Sequence, residues 1–327
     1  MLVPNDGPAA REFRSLGATV HRVDLRTLRR IGDVRSAAEI ACGFDLLYSH
    51  TSIPGEILGG RVCRMAGIAH VVHRHTEPHF SPRIAVRIVQ RLLYRRQLHT
   101  TPFIAVASHV AASLQGLGIP AERITIVSNG VDINAIRERG LSVGPRRGVP
   151  VVGVLGRLDP TQKGQDVFVE AIVGQGDVGA RFVIGGSPGP FWHEESTLRH
   201  AAAEADIPIE DPGSAGIEFL ASLDVVVMPS RYEGSPVTMF EAMALGKAII
   251  ASGIPGVVEV LEPTGAGIIV PPADPAALAD AIASLVGDSG RRQALGQRAL
   301  EVVRAEHDLA GVLDRIVAVL RLSGPDA

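Results

Sequence analysis

The residues best placed to do chemistry lie in the C-terminal half of the chain. Val154-Leu155-Gly156-Arg157-Leu158 ends an apolar run that reads as a strand, and Lys163-Gly164 opens a helical stretch. Arg157 and Lys163, six positions apart in such a strand–loop–helix unit, set two cations beside a helix N-terminus. Free backbone N–H groups there already favour an anion. Of the 32 basic residues only Lys163 and Lys247 are lysines, so a lysine in a Gly-flanked loop stands out. The competing assignment is a solvated loop with two surface charges.

A second constellation runs from Pro229 to Ala244 and carries Glu233, Gly234, Ser235, Pro236, Val237 and Glu241. The strand expected over Asp224–Met228 feeds this loop, and Ser235-Pro236 reads as an N-cap followed by proline at the first helical position. Glu233 then precedes the helix while Glu241 lies more than a turn inside it, so the two carboxylates should do different work. Helix-dipole compensation would explain Glu233 and a solvated face would explain Glu241. Phe240, Ala242 and Met243, however, make an apolar setting for Glu241, which favours a paired or ligand-bound role.

The elements that position these residues alternate as parallel βαβ units do. Strands are expected at Ala18–Val23, Asp45–Ser49, Ala69–His73, Phe103–Val106 and Ile124–Val127, with helices at Pro54–Met65, Ser81–Leu98 and His109–Leu117. The pattern breaks at Ser128–Pro150, where Asn129-Gly130 and a Gly/Pro-rich stretch signal turns. It resumes with strands at Val151–Leu155, Arg181–Ile184, Asp224–Met228, Ala248–Ala251 and Gly267–Val270. Helices at Pro275–Val286, Gly290–Glu306 and Leu309–Leu322 close the chain. The organisation expected is an α/β fold of two Rossmann-like domains facing across a cleft: 1–147, 148–306, and a C-terminal helix 307–327 returning toward the N-terminal domain.

Composition narrows the class further. At 327 residues with 46% hydrophobic and 4% aromatic side chains, the chain can build two aliphatic cores. The first 147 residues carry 20 arginines against 11 acids (+9) and the remainder is −12, giving a net charge of −3. That balance gives no basis for nucleic-acid binding. Cys42 and Cys63 make no disulfide framework and have no metal-ligand spacing, so a buried, reduced pair in a cytosolic protein is expected. Gly185-Gly186-Ser187-Pro188-Gly189-Pro190 follows a strand but lacks G-x-G-x-x-G spacing, which argues against dinucleotide binding. Arg83, Arg87, Arg91 and Arg95 recur every fourth residue in Ser81–Leu98, beside Ile84, Ile88 and Leu92. Such a helix either rests on an anionic membrane surface or acidic partner, or packs on its sheet with the arginines solvated.

The ordered set Gly156-Arg157-Leu158…Lys163-Gly164…Glu233-Gly234…Glu241-Ala242-Met243-Ala244-Leu245-Gly246 closely resembles glycosyltransferase family 4. Gly256-Val257-Val258-Glu259-Val260, Gly265–Pro272 and Val127–Asp132 are similar to that family too, and the resemblance covers roughly residues 45–322. It implies the B-type two-Rossmann fold and retaining transfer from a nucleoside-diphosphate sugar to an acceptor that the sequence does not identify. Arg157 and Lys163 match the pair that neutralises the donor pyrophosphate. Glu233 matches the residue meeting the donor sugar, Glu241 the residue holding the ribose, and Gly156 and Gly234–Val237 complete the donor contacts. His73-Arg74-His75-Thr76 resembles the family's cleft histidine segment. His75 is favoured near the reacting centre, with His73 the other match, and His50-Thr51 resembles an acceptor-side position. No D-x-D motif is present, so the resemblance implies no metal or other cofactor, the two cations standing in the metal's place. Family members open with a strand and a Gly-Gly loop; here either the first strand–helix unit is missing or Met1–Pro4 is a short first strand. The second class of function carried is a glycosyltransferase-like protein that binds nucleotide sugar or assists a partner. A cytoplasmic location, with peripheral attachment through Ser81–Leu98, completes the expectation.

Overall fold

A computed structural model of the chain describes residues 2–3, 7–23, 31–50, 52–78, 84–144, 148–176, 178–189 and 192–323. The chain divides into two compact units, Met1–Val127 with Asp314–Ala327, and Ser128–Leu313.

In the first unit, β1 (Leu2–Val3) pairs in parallel with β2 (His21–Arg22), and the helix Pro8–Ser15 lies between them in sequence. A short strand thus lies within the expected Met1–Pro4, of which Met1 and Pro4 fall outside the described residues, as does Asp6 of the following loop. Four further strands, β3 (Leu46–Ser49), β4 (Ala69–Arg74), β5 (Phe103–Ala105) and β6 (Ile124–Ile126), form a parallel sheet in chain order. One core gathers Ile57, Val72, Tyr94, Leu98, Phe103 and Val110, and another Val34, Ala37, Leu58 and Val62. Cys63 is buried, which pushes its thiol up to about 12. Cys42 is exposed instead, because it sits in the turn after the helix Ile31–Ala41. Both thiols are free.

The second unit contains a six-stranded parallel sheet: β7 (Val151–Leu155), β8 (Arg181–Gly185), β9 (Ile209–Glu210), β10 (Val225–Met228), β11 (Ala248–Ser252) and β12 (Ile268–Val270). Their spatial order is β12-β11-β10-β7-β8-β9. The chain thus builds outward from β7 to one side, then crosses back to lay β10 on its other side. Successive side chains of a strand face opposite ways. Val226, Met228 and Ile249 accordingly enter one core, and Val225, Val227 and Ile250 the other. Both faces are covered, which explains why these strands read as unbroken aliphatic runs.

The compact C-terminal unit takes in the chain from Ser128 onward. The stretch where the strand–helix pattern breaks contains the helix Ile133–Leu141, N-capped by Asp132 through the Ala135 N–H at 2.9 Å. Val131, Ile133 and Ile136 enter the C-terminal core and anchor it there. The turn signals were genuine, but the apolar anchors decide to which unit the segment belongs. Of the arginine-striped helix, Ile84–Leu98 is seen, and Arg83 lies outside the described residues. No helix among the described residues is long and apolar enough to cross a membrane.

Phe168 is fully buried in the core that Val225 and Val227 also enter. Truncating it to alanine should cost about 3–5 kcal/mol. Urea unfolding followed on the C-terminal unit measures this; a loss under about 1 kcal/mol would contradict the packing described.

Candidate active site

The neighbours β7 and β10 mark the point where the strand order reverses, and parallel α/β sheets bind ligands beyond the strand C-termini at that point. The loop leaving β7 carries Gly156, Arg157 and Lys163; the loop leaving β10 carries Glu233. Asp159 shapes the first loop: it is buried, caps the short helix Pro160–Lys163 through the Gln162 N–H and lies 3.4 Å from Arg157 Nη2. Arg157 also donates to Gln162 Oε1 at 2.9 Å, and its side chain remains half exposed. Buried Gln165 donates to the Arg157 carbonyl at 2.8 Å and fixes the backbone there. The structure brings Lys163 and Glu233 together: Nζ lies 2.6 Å from Oε1, which also accepts from Ser230 Oγ at 3.0 Å. Glu233 is thus one half of an ion pair, rather than a lone carboxylate compensating a helix dipole.

Two glycines allow the loops to approach. Gly164 has φ +65°, and a Cβ on it would overlap the Pro229 carbonyl. A Cβ on Gly256 would overlap the Gly234 carbonyl. Gly186 and Gly189 similarly admit the backbone of Gly156–Leu158, which accounts for the glycines that resemble a dinucleotide fingerprint. Arg231 reinforces the junction with a paired contact to Asp166 at 2.7 and 2.8 Å.

Ser235 is not an N-cap. The helix Val237–Ala244 begins after extended Pro236, without a side-chain cap. The Ser235 hydroxyl is occupied elsewhere: it accepts from the Asn129 N–H at 3.2 Å and lies 3.1 Å from Ser128 Oγ. Asn129 Nδ2 donates to the Ser235 carbonyl at 2.7 Å, and Ser128 also meets His307 Nδ1 at 3.1 Å. His307 stacks on Phe240 with centroids 4.0 Å apart. Asn129-Gly130 reads in sequence only as a turn, so no local signal joins it to a loop more than a hundred residues away. Gly234, Ser235 and Pro236 are buried and Val237 is exposed. Glu241 is half-buried rather than fully solvated; burial raises its pKa, opposed by Arg139. Lys247 donates to the Ala221 carbonyl at 2.6 Å, a structural use of the other lysine.

On the N-terminal unit, His50, His73 and His75 lie together at the C-terminal ends of β3 and β4. His50 Nδ1 is 2.9 Å from His75 Nε2, and Tyr48 Oη is 2.6 Å from His73 Nδ1. Desolvation holds His73 down at about 3 and His75 at about 4, each lowered further by neighbouring imidazoles, and it lowers His50 as well. All three are therefore neutral at pH 7. Arg74, between two of them in sequence, turns to the other face of the strand and meets fully buried Glu56 at 2.7 Å. Thr51 lies outside the described residues.

Gly164→Ala should destabilise the C-terminal unit by more than about 1 kcal/mol, since alanine is strained at positive φ and its Cβ overlaps a carbonyl. A lowered Tm checks this; an unchanged Tm would mean the loops do not meet as described.

Two family models match the chain in tandem: Glycosyltransferase Family 4 over residues 1–135 and Glycosyl transferases group 1 over 149–288. The chain is 29% identical over 181 residues to the alpha-D-kanosaminyltransferase of Streptomyces kanamyceticus, covering 54% of this chain and 46% of that one. It is 25% identical over 314 residues to the D-inositol 3-phosphate glycosyltransferase of Nocardia farcinica, covering 88% and 69%. It thus spans about half the length of the first of these relatives. In fold it is similar to Anabaena HepE, crystallised in complex with UDP, at a TM-score of 0.83 and 19% identity, covering 98% of this chain and 91% of that one. Two parallel-sheet Rossmann-like domains, with a family model on each, make this chain a member of the B-type glycosyltransferases of the family 4-like group.

Proposed function

We propose that the chain moves a sugar from a nucleoside-diphosphate sugar to an acceptor with retention of configuration. The observation that carries this reading is the placement of Arg157, Lys163 and Glu233 on the two loops flanking the strand-order reversal. As the bond from the anomeric carbon to the β-phosphate oxygen breaks, negative charge builds on the diphosphate. Arg157, Lys163 and the N-termini of the helices Gln165–Val173 and Val237–Ala244 stabilise it. The backbone of Gly156 and Gly234–Val237 grips phosphate and sugar, Glu233 meets the sugar, and Glu241 holds the ribose hydroxyls. Glu241's half-buried carboxylate supports that last role, because a bound diol supplies the hydrogen bonds that desolvation removes. His75 serves the reacting centre, and His50, Thr51 and His73 serve the acceptor side.

This transfer requires no divalent metal, the two cations supplying the charge. A related protein that binds nucleotide sugar without transferring it would keep the binding and lose turnover. Arg157→Ala and Lys163→Ala should each weaken nucleoside-diphosphate binding by about 1.5–3 kcal/mol, the worth of a charge-assisted contact, and transfer should persist in EDTA. Calorimetry and a donor-consumption assay test both. Unchanged affinity in both variants would remove the donor-site assignment, and loss of activity restored only by Mn²⁺ would remove metal independence.

We also propose that the helix Ile84–Leu98 seats a cytoplasmic protein peripherally on anionic lipid. Arg87, Arg91 and Arg95 form an exposed row, and beside it Ile84, Ile88 and Leu92 are 66%, 53% and 64% exposed. Only the last turns are fixed in the core, by Tyr94 and Leu98. Arginines alone would suit an acidic protein, but a row of bare aliphatic side chains beside them suits a lipid surface. Cosedimentation with anionic vesicles should be strong at low salt, by roughly 1 kcal/mol per arginine, and fall when Arg87, Arg91 and Arg95 are changed to Glu. Equal binding to neutral vesicles, or none at low salt, would contradict it.

A further inference from the structure

The three histidines of the N-terminal unit have a geometry that an ordinary packed cluster does not need. β3 and β4 pair with Ser49 opposite Val72, so His50 and His73 leave the sheet edge side by side, and His75 follows His73 on the same strand face. One ring nitrogen from each of the three lies within 4.8 Å of those from the other two. The His73 ring is 4.3 Å from that of His75 and 5.0 Å from that of His50, centroid to centroid. His73 is only 5% exposed. Its Nδ1 is taken by the Tyr48 hydroxyl, and its Nε2 is buried without a hydrogen-bond partner. An orphaned buried polar atom is costly, and although His70 and His109 also bury one such nitrogen, among the described residues only His73 does so within a group of three metal-ligating side chains. In the tautomer where Nδ1–H donates to the Tyr48 oxygen, the Nε2 lone pair is free, the arrangement of a metal ligand with its outer partner.

We infer that His50, His73 and His75 bind a single late first-row divalent cation, with Zn²⁺ the best fit. Three imidazoles and no carboxylate suit Zn²⁺ and its neighbours and not Mg²⁺ or Ca²⁺. Zinc–nitrogen bonds of about 2.0–2.1 Å at tetrahedral angles place ligand nitrogens roughly 3.3 Å apart. The 2.9 Å contact between His50 and His75 must open slightly and the third nitrogen close in. His50 and His75 are exposed, and whichever of them donates in that hydrogen bond shifts its proton to its own other ring nitrogen, so that both facing nitrogens offer a lone pair. The fourth position is left to water, as in open three-histidine sites. The nearby Arg74 charge is offset by Glu56. This trio is the only group of three such side chains with metal-ligand spacing among the described residues, and none of its members belongs to the loops of the C-terminal unit. One consequence rests on the transfer reading: an ion on His75 withdraws that histidine, so Zn²⁺ should inhibit transfer and EDTA should restore it.

The test is a Co²⁺ titration of the chelator-treated full chain, without nucleotide sugar, followed by visible absorption and then by Zn²⁺ displacement. One ion per chain with a tetrahedral cobalt spectrum is expected. His50→Ala and His75→Ala should lower affinity at least tenfold. Tyr48→Phe, which removes only the outer partner, should lower it about tenfold. His200→Ala, on an exposed helix, should leave it unchanged. Because His73 is buried, His73→Ala can fail to fold; the exposed pair carries the decision. Absence of saturable binding, or equal affinity in His50→Ala, His75→Ala and the unaltered chain, overturns the site. Zn²⁺ bound without inhibition supports the site and instead removes His75 from the transfer reading.

Discussion

The C-terminal unit turns on the close approach of two loops that belong to neighbouring strands but are far apart in sequence. Gly164 adopts a left-handed conformation against the Pro229 carbonyl, where any side chain would collide. That contact puts the end of the β7 loop on the start of the β10 loop, and Lys163 consequently reaches Glu233. Arg231, bound to Asp166 and to the Pro160 carbonyl, repeats the same connection, while Gln165 on the Arg157 carbonyl and Ser230 on Glu233 brace each loop internally. The aliphatic cores on both faces of the sheet hold the strands, but the loops are set by glycine geometry and a few charge-assisted hydrogen bonds.

The two units place different chemistry at the C-terminal edges of their sheets. In the C-terminal unit the edge is ionic: Lys163 and Glu233 neutralise each other while Arg157 stays half exposed. On the proposed reading, an incoming diphosphate competes with Glu233 for the lysine, and the ion pair keeps Lys163 in place at the expense of some binding energy. In the N-terminal unit the edge holds imidazoles kept neutral by desolvation and by one another, with the buried Arg74–Glu56 pair behind the strand. Neutral imidazoles are available as proton acceptors and as ligands, whereas the carboxylate of the ionic edge is already engaged by Lys163.

The parallel architecture was legible because strands buried on both faces are continuous aliphatic runs: Val225–Met228 and Ala248–Ser252 could hardly be anything else. Lys163 and Glu233 stand out in the sequence because their types and spacing are unusual for a strand–helix junction, and the structure brings these two together. Ser235 was misread: its place before Pro236 has the local form of an N-cap, whereas Asn129 and Ser128 capture its hydroxyl from far along the chain. Turn residues between 128 and 150 are a local signal, and the packing of Ile133 and Ile136 into a distant core is not. The assembly of His50 with His73 and His75 depends on strand register, which periodicity does not supply. The bare face of Ile84–Leu98 follows from what the sheet leaves uncovered, and that too has no local signature.

The central claim is that Lys163 grips a diphosphate and that Glu233 holds the lysine until the donor arrives. Calorimetric titration of a nucleoside diphosphate into Glu233→Gln, beside the unaltered chain, tests this most directly. Removing the competing charge frees Lys163, so the diphosphate should bind the variant at least as tightly, while transfer from the nucleotide sugar falls. If Glu233→Gln instead weakens the diphosphate as Lys163→Ala is expected to, the carboxylate is part of the phosphate grip and the account is wrong.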